Sequence, residues 1–366
     1  MALTLRERTA APGGRDRAHR GRVLLLALGG AAHLSGLNAA LVRLEVWAPI
    51  VSPRLGDLHG QVMVLGFLAT LISLERAQSL GRPWGYLAPA LFGAGAVALL
   101  APAPPLLGQL LHIEAGVLFV AVYLCLWRRA PRPLVGVQVL SAVLVLGGAV
   151  VVLLLDVPSA LPWLAGFVVL TIAAERAELA HLSMGPRADR TLLVLATVLT
   201  LAVLAALALP SVGDRPVGMV LVVVAAWLAR HDVARRQLRL SGQRRFLAVA
   251  LLAGYLNLAI AGTVWALRGL LADQGAYDVA IHGVFLGFAV SMVMAHAPVI
   301  LPAVLGRSLP YRPVLWLPLG LLHAGLAVRF AGALAGAAGL WQAGGVLTVA
   351  AMLAFVLTAL SLVVRG

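Results

Sequence analysis

The chain contains no lysine, a single cysteine and few charged residues of either sign. Of its 366 residues, 11% are charged and 61% are hydrophobic. A water-soluble domain of this length does not need so much apolar sequence to fill one core. The lone Cys125 excludes an intramolecular disulfide framework and a cysteine-based metal site. Motifs of soluble cofactor-binding domains and of covalent c-type haem attachment are also absent. Because of the apolar composition, we expect most of the chain to lie in lipid.

Apolar runs of roughly 20 residues recur along the chain, and short clusters of proline, glycine and arginine separate them. Each run is long enough to cross the hydrocarbon core as a helix. The sequence therefore predicts an all-α polytopic membrane protein with about twelve transmembrane helices. The predicted spans lie near 23–47, 57–78, 84–103, 106–127, 134–155, 159–183, 191–209, 216–230, 246–270, 278–305, 313–330 and 341–363.

The distribution of arginine predicts the orientation of these helices. With twelve spans and a cytoplasmic N-terminus, 23 of the 28 arginines fall on the inner side and 5 on the outer side. This bias follows the positive-inside rule, so both termini are predicted to be cytoplasmic. Residues 1–22 are interpreted as a retained basic tail and 23–366 as the transmembrane domain. The net charge of +14 thus reflects topology and does not indicate nucleic-acid binding.

Short similarities between helices 2, 6 and 10 suggest an internal repeat. Residues 74–77 read LERA and residues 174–177 read AERA, each at the inner end of its helix. Helices 2 and 10 carry His-Gly near their outer ends, at His59 and His282. Three four-helix units would explain this pattern, and chance would explain it equally well. The charged residues of the inner ends are interpreted as interfacial ion pairs that anchor the helices: Glu75, Arg76, Glu175, Arg176 and Glu178.

Histidine is the chemically informative residue of the predicted spans. Seven histidines lie in or at the edges of the spans: His33, His59, His112, His181, His282, His296 and His323. An ionisable group in the hydrocarbon core costs about 2.5 kcal/mol or more, so such residues suggest function. The alternative is structural, because a neutral histidine can donate to a carbonyl of a neighbouring helix and hold the two helices together.

His59 and His282 are the first candidates for a cofactor site because they lie at the same depth near the outer ends of helices 2 and 10. Two neutral imidazoles at equal depth can bind a haem iron from its two sides. A hydrogen-bond acceptor at the other ring nitrogen would orient each imidazole. Met63 and Gly66 on helix 2 would flank the macrocycle and give it room. No catalytic residue is predicted.

Two further groups are candidates for roles beside such a cofactor. Arg54, together with Arg43, could pair with haem propionates because arginine forms bidentate contacts with carboxylates. His112, with Glu114 on the same helix, could bind a small metal ion or lie on a proton path. Both arginines could equally be solvated.

A second haem is a weaker hypothesis than a single one. His296 follows His282 by 14 residues, which in an α-helix places both on nearly the same face at opposite depths. Helix 2 offers no histidine at the matching inner position, so an inner haem would need His181 or another partner. His296, next to Pro298, is therefore interpreted as an inner-site or helix-break residue.

The stretch 57–67, which reads DLHGQVMVLGF, resembles the second helix of the haem–copper oxidase subunit I superfamily. The closer resemblance is to the NnrS family of twelve-helix haem and copper proteins linked to nitric oxide stress. Residues 281–283, leading through 291–294 to 306–307, add to this similarity. The resemblance implies three four-helix arcs, a low-spin haem b held by His59 and His282, copper as a second metal, and work on nitric oxide or in electron transfer.

The chain also departs from these families. Helix 7 has no histidine pair and position 280 is alanine, so the ligands for the copper centre and high-spin haem of an oxygen reductase are missing. The family pattern His-x-His-Glu-Met is replaced by residues 57–61, DLHGQ, which argues against copper binding. The resulting prediction is a bacterial inner-membrane b-type haem protein. The alternatives are a proton-coupled secondary transporter or small-solute channel, and an assembly factor whose histidines fasten helices.

Overall fold

The computed structural model describes residues 12–180, 184–185, 187–209, 213–271, 273–306 and 309–365. Within these ranges the regular structure is helical and contains no strand. Twelve long helices follow one another along the described chain. They are α1 (Pro12–Arg43), α2 (53–80), α3 (Pro83–Leu100), α4 (Pro105–Arg129), α5 (Pro133–Leu154), α6 (Val157–Leu179), α7 (Ala188–Ala208), α8 (Arg215–His231), α9 (Gly242–Arg268), α10 (274–305), α11 (Pro313–Ala335) and α12 (Ala338–Arg365).

Length and composition make these helices membrane spans. Within the described ranges, eleven of them are long and apolar enough to cross a membrane. The remaining helix, α8, has 17 residues and stands at the lower end of the spanning length. Large apolar side chains such as Leu201, Leu256 and Leu357 are exposed on the outer faces of the bundle, as lipid contact requires. The protein is an all-α polytopic membrane protein, which confirms the predicted fold class.

The helix ends follow from local sequence. The Asp156 carboxylate accepts a hydrogen bond from the Ser159 amide at 2.7 Å and caps α6. Asp273 caps α10 in the same way. Proline occupies the first turn of several helices, where its missing N–H is not needed. Gly81 ends α2 in the left-handed conformation, with φ of 64°, which a side chain would disfavour.

Helices α2, α6 and α10 meet in the interior of the bundle. Successive helices pack against one another along the chain. The last helix, α12, contacts α1, and Gln342 Nε2 donates to the Leu44 carbonyl at 3.0 Å. Helix α10 contacts both α6 and α2. The most enclosed helices are α6 and α10. Two of the three helices that share sequence features, α6 and α10, are therefore central, and α2 contacts α10.

Both α2 and α10 contain a π-helical segment directly after the predicted ligand. In α2 the segment is Val62–Leu68, three residues beyond His59. In α10 it is Gly283–Val290, which begins immediately after His282. π-Helical turns are rare and occur frequently at functional sites. The two segments mark the same depth on two central helices.

Candidate functional site

A cavity of about 820 Å³ lies between α1, α2, α6, α10, α11 and α12. His59 and His282 both line it, although 223 residues separate them in sequence. Apolar side chains, among them Val64, Phe285 and Met352, form much of the wall. The two histidines that the sequence predicts to lie at equal depth therefore line one shared cavity.

Hydrogen bonds define which nitrogen of each ring is available. His59 Nδ1 donates to the Gly36 carbonyl at 2.9 Å, and His282 Nδ1 donates to the Asp278 carbonyl at 2.9 Å. A carbonyl can only accept, so each Nδ1 carries a proton, and in a neutral ring the lone pair then lies on Nε2. Neither Nε2 atom has a hydrogen-bond partner within the described part of the chain. In both rings, therefore, Nε2 is the nitrogen that faces no acceptor or donor of the described chain and that a neutral imidazole would offer to a metal.

A buried ion pair supports His282 from behind. Arg329 Nε and Nη2 donate to the two carboxylate oxygens of Asp278 at 2.8 and 2.6 Å. One of these oxygens, Oδ1, also lies 3.2 Å from His282 Nδ1. The Arg329 guanidinium lies 5.6 Å from the ring centre of Trp341. A carboxylate behind a ligating histidine is the arrangement that raises ligand basicity in metal proteins.

Sequence reasoning missed this pair, although one signal for it existed. Asp278 precedes His282 by four residues, the spacing that puts two side chains on one face of a helix. Arg329 was assigned to the outer surface, but it is buried within α11. Its partner is 51 residues away in sequence, and no local pattern connects the two.

Met63 lies where the sequence places it, and Gly66 does not. Met63 lines the cavity, and its sulfur occupies the space that a Cβ on Gly36 would need, so that glycine makes room for the methionine. Gly66 is not among the cavity residues. A Cβ there would come within 2.6 Å of the Ala96 Cβ and 3.2 Å of the Ala32 Cβ. Gly66 therefore allows α2 to approach α1 and α3 closely.

Arg54 also lies away from the cavity wall. Its Nη2 donates to the Leu99 and Ala103 carbonyls at 3.0 and 2.6 Å, and so satisfies the C-terminal end of α3. The arginines that line the cavity in the described chain are Arg43, at the end of α1, and Arg329. Of these two, Arg43 is the one that forms no ion pair with a carboxylate of the described chain.

His112 has both ring nitrogens engaged. Its Nε2 donates to the Phe92 carbonyl at 3.1 Å, and its Nδ1 accepts from Gln61 Nε2 at 3.3 Å. The side chain is fully buried and joins α2, α3 and α4. No group of three or more His, Cys, Asp or Glu residues suited to a metal ion occurs in the described ranges. The structural interpretation of a membrane histidine accounts for His112.

His296 and His323 fasten helices in the same way. His296 Nδ1 donates to the Met292 carbonyl at 2.8 Å, and Nε2 accepts from Arg176 Nη1 at 3.1 Å. His323 bonds to Asn257 and Ser291. His181 lies outside the described residues. With both nitrogens of His296 occupied, His296 itself is not free to bind an inner haem.

The charged residues at the inner ends of α2 and α6 form ion pairs, as anchors would. Arg76 pairs with Glu75 on its own helix and with Glu175 on α6 at 3.3 Å. Arg176 makes a bidentate pair with Asp232, which follows α8, at 2.8 and 2.9 Å. Both arginines are buried. These pairs connect central helices within the protein and are more enclosed than surface ion pairs.

Asp232 is the centre of the second pair. Its carboxylate also accepts from the Tyr255 hydroxyl at 2.6 Å and from the Ala234 amide at 2.9 Å. Burial alone would raise the pKa of Asp232, but the hydrogen bonds and charge of Arg176 outweigh burial and lower it. Asp232 is therefore ionised at neutral pH and committed to partners inside the bundle.

These observations define a polytopic helical membrane protein with a histidine-lined cavity at one end of the bundle. The chain belongs to the family described as Domain of unknown function (DUF8744), whose family model matches residues 22–364. A comparison with curated proteins finds no match.

Proposed function

We propose that this chain is a bacterial inner-membrane b-type haem protein in which His59 and His282 are the axial ligands of one haem. The observation that carries the proposal is the pair of imidazoles that line one cavity, each with Nδ1 bonded to a carbonyl and Nε2 free. Neutral imidazole is a common axial ligand of haem iron.

The cavity fits a group of this kind in size and chemistry. Pockets that enclose cofactor-sized ligands measure roughly 300–1,000 Å³, and this one measures about 820 Å³. Its apolar side chains suit the macrocycle. Arg43 suits a propionate, since arginine pairs well with carboxylates, whereas Arg329 already pairs with Asp278. Copper has no comparable support, because the described residues offer no cluster of three metal-binding side chains.

The chain's own residues would set the properties of the bound group. A haem supplies a one-electron centre whose potential depends on its axial ligands and on burial. Asp278 would hold the His282 ring and increase its basicity, while the Gly36 carbonyl would hold the His59 ring. Two retained ligands would suit electron transfer or sensing, and one labile ligand would permit nitric oxide binding.

The biological setting belongs to the same proposal. The NnrS-like features of residues 57–67 and 281–294 support a role in the response to nitric oxide or in related electron transfer. The arginine distribution supports cytoplasmic termini and a site near the periplasmic face.

An optical spectrum of the detergent-purified protein tests the haem assignment. We expect a reduced b-type band in the wild type and its loss in His59→Ala and His282→Ala. His231→Ala is the matched control, since His231 lies outside the cavity and bonds within α8; it should keep the band. A folded, colourless wild type from haem-replete cells would overturn the proposal, and a band retained in both ligand variants would also contradict it.

A colourless protein would favour a proton-coupled transporter or small-solute channel. The observation behind this second candidate is the Asp278–Arg329 ion pair in the wall of the same cavity. Buried ionisable residues in membrane proteins often mark substrate or proton pathways. Pro298 and Pro302 interrupt the regular hydrogen bonding of α10, as in the discontinuous helices of transporters.

A further inference from the structure

A second polar region, separate from the cavity, lies where α8 is joined to α9. The segment 230–245 contains six arginines and a single acidic residue, Asp232. Arg230, Arg235, Arg236 and Arg239 are exposed. Exposed cationic groups beside a membrane span attract anionic lipid head groups.

The carboxylates of the described part of the chain do not pair with these arginines. Both carboxylate oxygens of Asp232 are bonded to Arg176, which belongs to α6. No ion pair joins any arginine of segment 230–245 to a carboxylate within the described ranges. The same Asp232 contacts hold the segment against the bundle, so the arginines are presented from an anchored backbone.

Two adjoining grooves run between these arginines and the membrane helices. One, of about 800 Å³, is lined by Arg230, Arg235 and Arg239 together with Ala226, Ala229, Leu238 and Leu252. The other, of about 690 Å³, shares those three arginines and adds Arg236, His231, Val233 and Asp232, whose carboxylate is already bonded to Arg176. Ala226 lies four residues before Arg230, so the apolar part extends about 6 Å along α8 from the cationic part. A ligand that fills both parts has a negative head and an apolar chain.

We infer that this groove between α8 and α9 binds an anionic phospholipid, with its phosphate among Arg230, Arg235 and Arg239 and an acyl chain against Leu238 and Leu252. Arginine forms bidentate contacts with phosphate, and basic pockets between membrane helices bind anionic head groups. The apolar wall selects a lipid over free phosphate. This site is independent of the haem proposal.

Native mass spectrometry of the full-length detergent-purified protein tests the inference with phosphatidylglycerol as the probe. The variant Arg235→Gln/Arg239→Gln should bind it more weakly, by about fivefold for each arginine removed. The matched control is Arg244→Gln/Arg245→Gln, which removes the same charge from the same segment outside both grooves. The control should bind as the wild type does. Single variants at Arg235 and Arg239 serve if the double variant does not fold.

Competition separates the sources of the phosphate. Phosphatidylcholine and millimolar inorganic phosphate should not displace phosphatidylglycerol from the wild type. An equal loss in both double variants would indicate diffuse surface attraction and would overturn the site. Displacement by inorganic phosphate alone would identify an anion site without a lipid and would overturn the acyl-chain assignment.

Discussion

At the scale of single residues, the cavity depends on a charge pair that is expensive to break. Arg329 and Asp278 neutralise each other in a buried place, and Asp278 also holds His282. Removing one member of such a pair leaves an uncompensated charge, whereas replacing both with apolar groups is often neutral. The pair is therefore a test of how the site is built.

We expect Arg329→Leu to destabilise the protein by roughly 3–5 kcal/mol, because Asp278 is left buried without its cation. The double variant Asp278→Leu/Arg329→Leu should recover most of that loss. Thermal unfolding in detergent, followed by loss of native fluorescence, measures both. Equal destabilisation by the single and double variants would contradict this account of the pair.

The histidines show how far residue-level reasoning reaches. Depth along a helix follows from counting, so His59 and His282 could be matched from sequence alone. Hydrogen-bond partners do not follow from counting, because His112 and Gln61 are 51 residues apart and His296 and Arg176 are 120 apart. The sequence therefore identifies candidate histidines but does not separate those that could bind a cofactor from those that hydrogen-bond neighbouring helices.

At the scale of helices, glycine controls how closely the central elements approach. We expect Gly66→Ala to destabilise by roughly 1–3 kcal/mol, because the new methyl group would overlap Ala96 and Ala32 on two other helices. Gly30→Ala, where a Cβ meets nothing within 4 Å, is the control and should be neutral or slightly stabilising. The melting temperatures of both variants measure the effect. An unchanged melting temperature for Gly66→Ala would contradict the close contact with Ala96 and Ala32.

The helices themselves were predictable because lipid imposes a minimum apolar length. Twelve long helices correspond to the twelve predicted spans, with α8 the shortest of them. Most boundaries moved by a few residues, as for α10, which begins at Gln274 instead of 278, but α1 begins at Pro12 instead of 23. The π-helical segments were not predictable, since residues 62–68 and 283–290 have the composition of any buried helix. The angle predicted between His282 and His296 holds for a regular α-helix. The π-helical segment Gly283–Val290 lies between them and changes that angle.

At the scale of the whole molecule, the proposed orientation of the bundle can be tested directly. In a Cys125→Ser background, we expect Ala335→Cys, at the last residue of α11, to react with a membrane-impermeant maleimide in intact bacterial cells. Ser241→Cys, before α9, should react only after permeabilisation, because the arginine distribution places it inside. Both positions are exposed. The reverse labelling pattern would invert the topology and move the histidine cavity to the cytoplasmic face.

The paired π-helical segments have a consequence for how the two ends of the molecule are aligned. A π turn holds more residues than an α turn, so it changes the angular phase of everything that follows by up to about 100° for each extra residue. In α2 and α10 this phase change falls between the histidine cavity above and the Arg76 and His296 contacts below. In each helix the residues before and after the π-helical segment therefore follow different angular phases. The two halves can direct their side chains towards different neighbouring helices.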